Sequence, residues 1–268
     1  MTERILEDFD LDQIARSGQC FRFRPLGERQ YALVAGGRYV EIAQQGSCVR
    51  FACPEDEFET VWRLYFDLDA DYGRYKGAVA KRDKYLQSAI EAGGGLRILR
   101  QELWEVIVCF IISQQNNIAR ITKCVENLCS LFGETCYNSS GQVYNAFPSA
   151  ARLAACTPDD LTPIRLGYRA KYILSAARQV AAGEVDLAAV RQMDHTHAQA
   201  ELMRLSGVGV KVAECICLFA LHHIDAFPID THIRRMLDEH YPKGFPLRRY
   251  KGFAGVMQQY AFYYELVK

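Results

Sequence analysis

Hydrophobic and polar positions follow two different periods along the chain. Up to about residue 55, short apolar runs at 31–34, 38–42 and 48–53 predict antiparallel strands. Gly36-Gly37 lies between the first two runs and favours a tight hairpin. From Asp56 onward, apolar residues recur at helical spacing to the end of the chain. The pattern therefore predicts an α+β protein, with an N-terminal antiparallel β domain over 1–85 and a mostly α-helical region over 86–268.

One helix is expected to form the centre of the helical region. The stretch 103–112 is apolar nearly all round, which is typical of a helix buried on every side. A polar break over 113–117 separates it from a second helix, which Gly133 ends. Further helices are expected over 169–182, 197–205, 211–221, 231–240 and 253–267.

Composition excludes several classes of protein. Half of the residues are hydrophobic and 24% are charged, so disordered and fibrous classes are excluded. The longest apolar runs fall far short of the roughly 18 to 20 residues that span a bilayer, so no membrane partner is expected. The acidic N-terminus lacks a secretory signal, which favours a reducing bacterial or archaeal cytoplasm, or the nucleus of a eukaryote. The ten cysteines include no Cys-x-x-Cys pair, so we expect no thiolate metal site.

The charge balance limits how the protein could hold a nucleic acid. The 32 basic and 32 acidic residues give a formal net charge of zero. A nucleic-acid partner would therefore have to meet basic groups that are gathered locally. Such groups occur at 165–171, at 234–235 and at 248–251, although short charged runs are commonly no more than solvated surface.

The stretch 205–218 is the most informative segment. Its pattern predicts the end of one helix, a turn containing Gly207 and Gly209, and the start of a new helix. Together these elements form a predicted helix-hairpin-helix over about 198–221. The free amides around Gly207 to Val210, at a helix N-terminus, suit a phosphate group. Such a hairpin binds the DNA backbone without reading its sequence. A glycine-rich corner between two helices, with no ligand, is the alternative.

Two residues near this hairpin could carry chemistry. Lys211 stands at the start of the second helix, where the helix dipole disfavours the ammonium form, so its amine could attack an electrophilic sugar carbon. Asp230 precedes the next helix as an N-cap, and a fixed carboxylate there could stabilise positive charge on that sugar. Each residue alone has an ordinary structural interpretation. The two residues together indicate this chemistry more specifically than either residue alone.

Five separated blocks resemble the helix-hairpin-helix DNA glycosylases and, within them, the 8-oxoguanine DNA glycosylases. The blocks are 17–22, 113–122, 166–172, 205–218 with Asp230, and 253–262, and they extend over nearly the whole chain. The resemblance implies an N-terminal antiparallel β domain and two α-helical subdomains. It also implies a bifunctional enzyme, in which Lys211 displaces the damaged base through a Schiff base and then promotes strand cleavage by β-elimination, assisted by Asp230. The lysine itself is then the covalent catalyst, so no cofactor or metal is expected.

The resemblance also assigns roles in holding a base that has left the stack. The Gly18 carbonyl would accept the proton that N7 carries only in 8-oxoguanine, and Gln258 would read the Watson-Crick edge. Phe262 and Cys215 would cover the two faces of the base. Core packing is the alternative for Phe262 and Cys215.

A second group would face the base opposite the lesion. Tyr168 resembles the wedge that fills the vacated stack, and Arg169, Arg120 and Gln115 resemble the group that contacts the orphaned cytosine. The chain departs from the pattern at Gln115, where the animal and fungal enzymes usually carry asparagine. His232, beside Asp230, would contact phosphate together with the amides of Gly207, Gly209 and Val210, although a capping or surface role is equally open.

The expected partner is duplex DNA that contains 8-oxoguanine opposite cytosine, bound by a monomer. Two alternatives remain. One is a helix-hairpin-helix DNA-binding protein without chemistry, which would need neither Lys211 nor Asp230. The other is a glycosylase for other oxidised purines, or one that tolerates other opposite bases.

Overall fold

The computed structural model describes residues 1–138 and 140–268. An antiparallel sheet of five strands occupies the N-terminal part, in the order β1-β5-β4-β3-β2. The strands are β1 (Thr2–Ile5), β2 (Phe23–Gly27), β3 (Gln30–Ala35), β4 (Arg38–Gln45) and β5 (Cys48–Phe51). The predicted hairpin is confirmed: Ala35 pairs with Arg38, and Gly36 and Gly37 have φ values of 55° and 74°. L-residues rarely adopt these angles, which explains the two glycines.

Helices make up most of the remaining chain, which confirms the α+β class. They are α1 (Leu11–Arg16), α2 (Glu55–Glu57), α3 (Arg63–Tyr65), α4 (Tyr72–Gly77), α5 (Lys84–Gly93), α6 (Leu103–Ser113), α7 (Ile118–Phe132), α8 (Ala150–Ala154), α9 (Arg169–Ala181), α10 (Leu187–Val190), α11 (His195–Leu202), α12 (Val210–Phe219), α13 (Thr231–His240) and α14 (Ala254–Val267). A π-helix, Phe58–Trp62, joins α2 to α3, and 3-10 helices cover Asp159–Ile164 and Leu247–Tyr250. No helix of the described residues is long and apolar enough to cross a membrane.

Helix α6 is the central element of the helical region. Every residue from Leu103 to Ile112 is buried, as the all-round apolar pattern predicts. Helices α7, α9 and α12 all contact it. Because α12 begins at the predicted hairpin, this packing brings the start of α12 next to the C-terminal end of α6.

One element departs from the expectation that everything after Asp56 is helical. Strands β6 (Thr135–Tyr137) and β7 (Val143–Asn145) form a small antiparallel hairpin. Each strand has three residues, too few to establish an alternating pattern in the sequence. Tyr144 of this hairpin donates a hydrogen bond to the Gly37 carbonyl at 3.0 Å, which ties it to the N-terminal sheet.

The buried hydrophobic side chains of residues 1–138 and 140–268 form two cores. The smaller core lies between the N-terminal sheet and the helices that follow it, and it buries Phe51, Phe58, Trp62 and Phe66 completely or almost completely. The larger core lies within the helical region and extends from Phe21 to Tyr263. The loop between α1 and β2 therefore joins both cores, which places Gly18 where the sheet meets the helices.

Candidate active site

The predicted helix-hairpin-helix is formed by α11 and α12. In the turn between them, Gly207 has a φ of 83°, and a Cβ atom there would lie 2.6 Å from the Cβ of Tyr172. Only glycine satisfies both constraints. Gly209 is the N-cap of α12, and Val210 is 58% exposed. The first amides of α12 are thus available at the surface, as a phosphate site requires.

Side chains from outside the hairpin hold the turn in place. The Gln114 Nε2 donates to the Gly207 carbonyl at 2.9 Å. On the other side, the Ser206 amide donates to Gln179 Oε1 at 2.9 Å, and the hydroxyls of Ser206 and Ser175 lie 2.7 Å apart. The polar break after α6 therefore contacts the hairpin directly.

Lys211 and Asp230 line the same cleft from two different helices. Lys211 is the second residue of α12, and its Nζ lies 5.4 Å from the ring centroid of Phe110. Asp230 is the N-cap of α13, where its carboxylate accepts from the Ile233 amide at 2.8 Å. The structure thus brings together an amine and an oriented carboxylate that are nineteen residues apart in the sequence.

An inner cavity of about 40 Å³ lies behind this pair. Ten residues line it: Gly18, Phe110, Lys211, Cys215, Phe219, Pro228, Asp230, Gln258, Gln259 and Phe262. All four residues of the predicted base pocket are among them. This is room for a few water molecules, at about 10 to 15 Å³ each, and too little for a purine. A purine could therefore enter only if a lining side chain moves, and Phe262 is only partly buried.

Polar groups in the inner cavity suit recognition of a flat polar ligand. The Nε2 of Gln258 donates to the Pro228 carbonyl at 3.1 Å, while its Oε1 is buried without a hydrogen-bond partner in the described part of the chain. An unpaired buried acceptor costs about 1 to 3 kcal/mol, which a ligand donor could recover. Burial raises the pKa of the Cys215 thiol to about 11, so that side chain is neutral near pH 7.

Gly18 lies between the cavity and a network of buried amides. Its φ is 74°, and a Cβ atom would lie 3.2 Å from Cε1 of Phe262. Gln259 Nε2 donates to the Ser17 carbonyl at 2.9 Å. Gln19 donates to the Arg97 carbonyl at 2.9 Å and accepts from the Leu99 amide at 2.8 Å. These bonds fix the residues on both sides of Gly18.

A wider cleft of about 680 Å³ opens outward from the inner cavity. The two share Gly18, Phe110, Lys211, Asp230 and Phe262, and the outer cleft adds Gln115, Tyr168 and His232. The His232 ring meets Phe262 edge-on at 5.9 Å between centroids. Tyr168 is 43% exposed. The predicted wedge Tyr168, the opposite-base residue Gln115 and the phosphate residue His232 therefore border the cleft that contains Lys211.

The two predicted arginines do not line this cleft. Arg169 is 5% exposed, and its guanidinium donates to the carbonyls of Gln114, Gln115 and Leu166. Arg120 is exposed and donates to the Arg165 carbonyl at 3.2 Å. In this structure Arg169 supports the loop that carries Gln115, whose φ of 47° lies in the left-handed region.

Sequence reasoning missed several residues of the site, among them Phe219 and Pro228 in the lining of the inner cavity and three residues that contact predicted parts of the site. Phe110 lies under Lys211, Gln114 contacts the hairpin, and Gln259 holds the peptide before Gly18. Phe110 is one apolar residue in a helix that is apolar all round, so no periodic signal marks it. Gln114 and Gln259 each adjoin a predicted site residue in the chain, and only their polar character near that residue could have indicated them.

Family models match nearly the whole chain. Residues 4–107 match the 8-oxoguanine DNA glycosylase N-terminal domain, and residues 108–243 match the HhH-GPD superfamily of base excision DNA repair proteins. The chain belongs to the 8-oxoguanine DNA glycosylases of the HhH-GPD superfamily. The resemblance that the five sequence blocks indicated is thereby confirmed.

Similar proteins, and similar proteins of known structure, support this family assignment. The N-glycosylase/DNA lyase of Saccharomyces cerevisiae is 35% identical over 75% of this chain, and the OGG1 protein of Arabidopsis thaliana is 32% identical over 81%. The matched regions span 55% and 62% of the lengths of those two relatives. A structure of MBOgg1 with a low-affinity DNA ligand superimposes with a TM-score of 0.92 at 35% identity, covering 99% of this chain and 96% of that one.

A clostridial member of the family was solved with DNA. The 8-oxoguanine glycosylase/lyase of Clostridium acetobutylicum, in complex with duplex DNA containing cytosine opposite 8-oxoguanine, is 34% identical with a TM-score of 0.88. It covers 96% of this chain, and this chain covers 92% of it. Among the described residues of this chain, no group of three His, Cys, Asp or Glu residues could hold a metal ion.

Proposed function

We propose that this protein is a bifunctional DNA glycosylase and AP lyase that excises 8-oxoguanine from duplex DNA. The observation that carries the proposal is the lining of the inner cavity: Lys211 and Asp230 border the same cavity as Gly18, Cys215 and Gln258. The reactive amine and the polar groups for a base thus meet at one place. A backbone-binding hairpin alone would need no such cavity.

The proposed reaction begins when the damaged nucleotide leaves the stack, because its glycosidic bond is hidden in the duplex. The amine of Lys211 attacks C1′, the bond from C1′ to the base breaks, and the departing base takes up the proton that the lysine nitrogen releases. Asp230, held by the amide at the start of α13, stabilises the positive charge that develops on the sugar. The C1′–O4′ bond of the sugar ring then breaks, O4′ takes up a proton from water, and the lysine nitrogen forms the Schiff base with C1′. Loss of a proton from C2′ of the Schiff base then breaks the C3′–O bond to phosphate by β-elimination.

Substrate choice is proposed to rest on the inner cavity. The Gly18 carbonyl would accept the N7 proton of 8-oxoguanine, and Gln258 Oε1, which lacks a partner among the described residues, would accept a donor from the Watson-Crick edge. Phe262 would stack on one face of the base and the neutral Cys215 thiol would cover the other. A normal guanine would leave the Gly18 carbonyl unpaired, which costs about 1 to 3 kcal/mol.

The remaining DNA contacts are proposed around the outer cleft. The amides of Gly207, Gly209 and Val210 would bind one phosphate, with His232 nearby. Tyr168 would fill the gap in the stack, while Gln115, Arg120 and Arg169 would face the opposite cytosine. Arg169 would first have to release the carbonyls it now binds. We propose that one monomer carries out the reaction without a cofactor, in the bacterial or archaeal cytoplasm or in a eukaryotic nucleus.

The test is borohydride trapping on end-labelled duplexes that carry 8-oxoguanine opposite each of the four bases. We expect a covalent adduct that requires the lesion and is lost in Lys211→Gln, while that variant still binds the lesion duplex. Undamaged duplex is the control. Binding without any adduct or cleavage would favour the non-catalytic DNA-binding protein, and an adduct only with another oxidised purine would replace the proposed substrate.

A further inference from the structure

A buried carboxylate lies one turn beyond Lys211 on the same helix. Glu214 belongs to α12, its side chain is 12% exposed, and it lines neither the inner cavity nor the outer cleft. Its Oε1 accepts from Nε2 of His195 at 2.7 Å and also from Nε2 of Gln199. Its Oε2 accepts from the Phe227 backbone amide at 2.9 Å. The two oxygens therefore bind two different segments of the chain.

One of these segments leads directly to Asp230. Phe227 is three residues before Asp230, and the intervening Pro228 carbonyl accepts from Gln258 at 3.1 Å. Asp230 itself is held at the start of α13 through the Ile233 amide. The short segment that carries the carboxylate is thus anchored at Phe227, at Pro228 and at Asp230. Only the anchor at Phe227 comes from the helix that carries Lys211.

We propose that Glu214 is a positioning residue that sets the carboxylate of Asp230 relative to the amine of Lys211. The inference rests on the proposed function. Lys211 and Asp230 lie on different helices, so their separation depends on what joins α12 to the segment before α13. Glu214 provides that link with one side chain, because it lies three residues after Lys211 and binds the amide of Phe227, which lies three residues before Asp230. A misplacement of about 1 Å can cost about a hundredfold in rate.

The chemistry of the position supports this role over simple packing. Burying a charged carboxylate is costly unless hydrogen bonds compensate it, and a well-packed apolar side chain often stabilises such a position as well or better. An apolar residue could not bind the Phe227 amide, which would then lose its partner. A glutamate provides two separate acceptors, and both are used here for different segments.

The main test is Glu214→Gln, which keeps the shape but replaces one acceptor oxygen with a donor. We expect the single-turnover rate of base excision, at saturating enzyme, to fall roughly 10- to 100-fold. The dissociation constant for the lesion duplex should change by less than about threefold, because the phosphate and base contacts remain. A loss of affinity with an unchanged excision rate would overturn the proposal.

Glu265→Gln is the matched control. Glu265 is also buried and also accepts three hydrogen bonds, from the side chains of Tyr85, Arg235 and Lys268, but it lines neither the cavity nor the cleft. We expect a comparable loss of thermal stability with an excision rate close to that of the unmodified protein. If Glu214→Gln slows excision no more than Glu265→Gln does, the role of Glu214 is structural only.

A second variant separates the contacts that Glu214 makes with α11 from its contact with Phe227. The double change His195→Ala and Gln199→Ala removes both contacts to α11 but leaves the Phe227 amide bound. We expect its excision rate to stay within about threefold of the unmodified protein, because the link to Asp230 is kept. A loss as large as that of Glu214→Gln would assign the effect to the packing of α11 and refute the proposal.

The design distinguishes this inference from the proposed function. If the unmodified protein gives no lesion-dependent adduct, the proposed function itself fails. If the unmodified protein is active and Glu214→Gln matches it, only the inference fails. Should Glu214→Gln not fold, Glu214→Met gives the same readout. Methionine has a similar length but no oxygen that accepts from the Phe227 amide, so a rate equal to that of the unmodified protein would contradict the proposal.

Discussion

The Gln114 side chain joins the loop after α6 to the helix-hairpin-helix by donating to the Gly207 carbonyl at 2.9 Å. The backbone carbonyl of the same Gln114 accepts from Arg169 at 2.8 Å. The loop that carries Gln115 is therefore coupled to the turn that precedes Lys211. This arrangement makes Gln115, Arg169 and the hairpin parts of one hydrogen-bonded unit.

Gln114→Ala is expected to loosen that unit. Losing the bond should lower the free energy of unfolding by about 0.5 to 1.5 kcal/mol and weaken duplex binding, because the hairpin amides lose a fixed position. Gln87→Ala is the control, since Gln87 also donates to a backbone carbonyl, that of Val79, away from the cleft. Chemical denaturation and fluorescence anisotropy measure the two effects. Equal affinity in both variants would show that the Gln114 contact does not support DNA binding.

Gly207→Ala should be strongly destabilising, because it places a Cβ atom 2.6 Å from Tyr172 at a φ of 83°. Two independent penalties, a steric clash and a left-handed backbone, together suggest a loss of more than about 1 kcal/mol. Gly209→Ala provides the comparison within the same turn, because its Cβ would meet no atom within 4 Å. Thermal unfolding measures the melting temperatures of both variants. A similar melting temperature for the two would contradict the geometry of the turn.

Phe262→Ala tests whether the ring at the mouth of the inner cavity contacts the base. If Phe262 stacks on it, affinity for lesion duplex should fall by about 1 to 3 kcal/mol. The measurement is equilibrium binding of the variant to lesion and undamaged duplexes, with circular dichroism as the check on folding. An unchanged preference for the lesion in a folded variant would make Phe262 a packing residue alone.

Gln115→Asn addresses the choice of opposite base. The φ of Gln115 is 47°, and asparagine adopts this left-handed region more readily than glutamine does, so the variant should fold normally. The shorter amide should raise the preference for cytosine over adenine opposite the lesion by about 1 kcal/mol, roughly a fivefold change in the ratio of excision rates. Single-turnover assays on the two duplexes measure that ratio. If the ratio stays the same or falls, Gln115 does not determine the preference for the opposite base.

The stability of the protein should depend on pH through Glu105. This residue is buried in α6, and burial raises its pKa to about 7, against a partial opposing effect of Arg22. The folded state therefore binds the proton more tightly than the unfolded state does. Stability from this group is fully present below about pH 4.5, the ordinary glutamate value, and is lost as pH rises through about 7.

Glu105→Gln removes this titration, so the difference in unfolding free energy between the unmodified protein and the variant isolates it. We expect the unmodified protein to lose roughly 2 to 3 kcal/mol relative to the variant between pH 4.5 and pH 8. Urea denaturation at several pH values measures the difference. A difference that stays constant with pH would mean that Glu105 ionises normally in the folded state.

Local patterns in the sequence were sufficient for the main architecture. The alternating runs and the Gly36-Gly37 pair predicted the hairpin of β3 and β4, and the apolar stretch 103–112 predicted a fully buried helix. The hairpin pairs residues close in the chain, and the burial of the helix is indicated by its own apolar side chains, so both are visible in a short stretch of sequence. The hairpin of β6 and β7 was missed, because strands of three residues leave no periodic signal and their pairing is stabilised by the N-terminal sheet.

The sequence by itself determined the family, the order of β and α regions, and the identity of the candidate reactive residues, because each of these is encoded in residue types at fixed spacing. The tertiary structure decided which side chains surround Lys211. Phe110, Gln258 and Gly18 come from helices and loops far apart in the chain, and only packing of the two cores brings them to one cavity. The structure also decided that Arg169 is bound to carbonyls and that Glu214 joins α12 to Phe227. Such contacts depend on three-dimensional distance between distant segments, which no local pattern specifies.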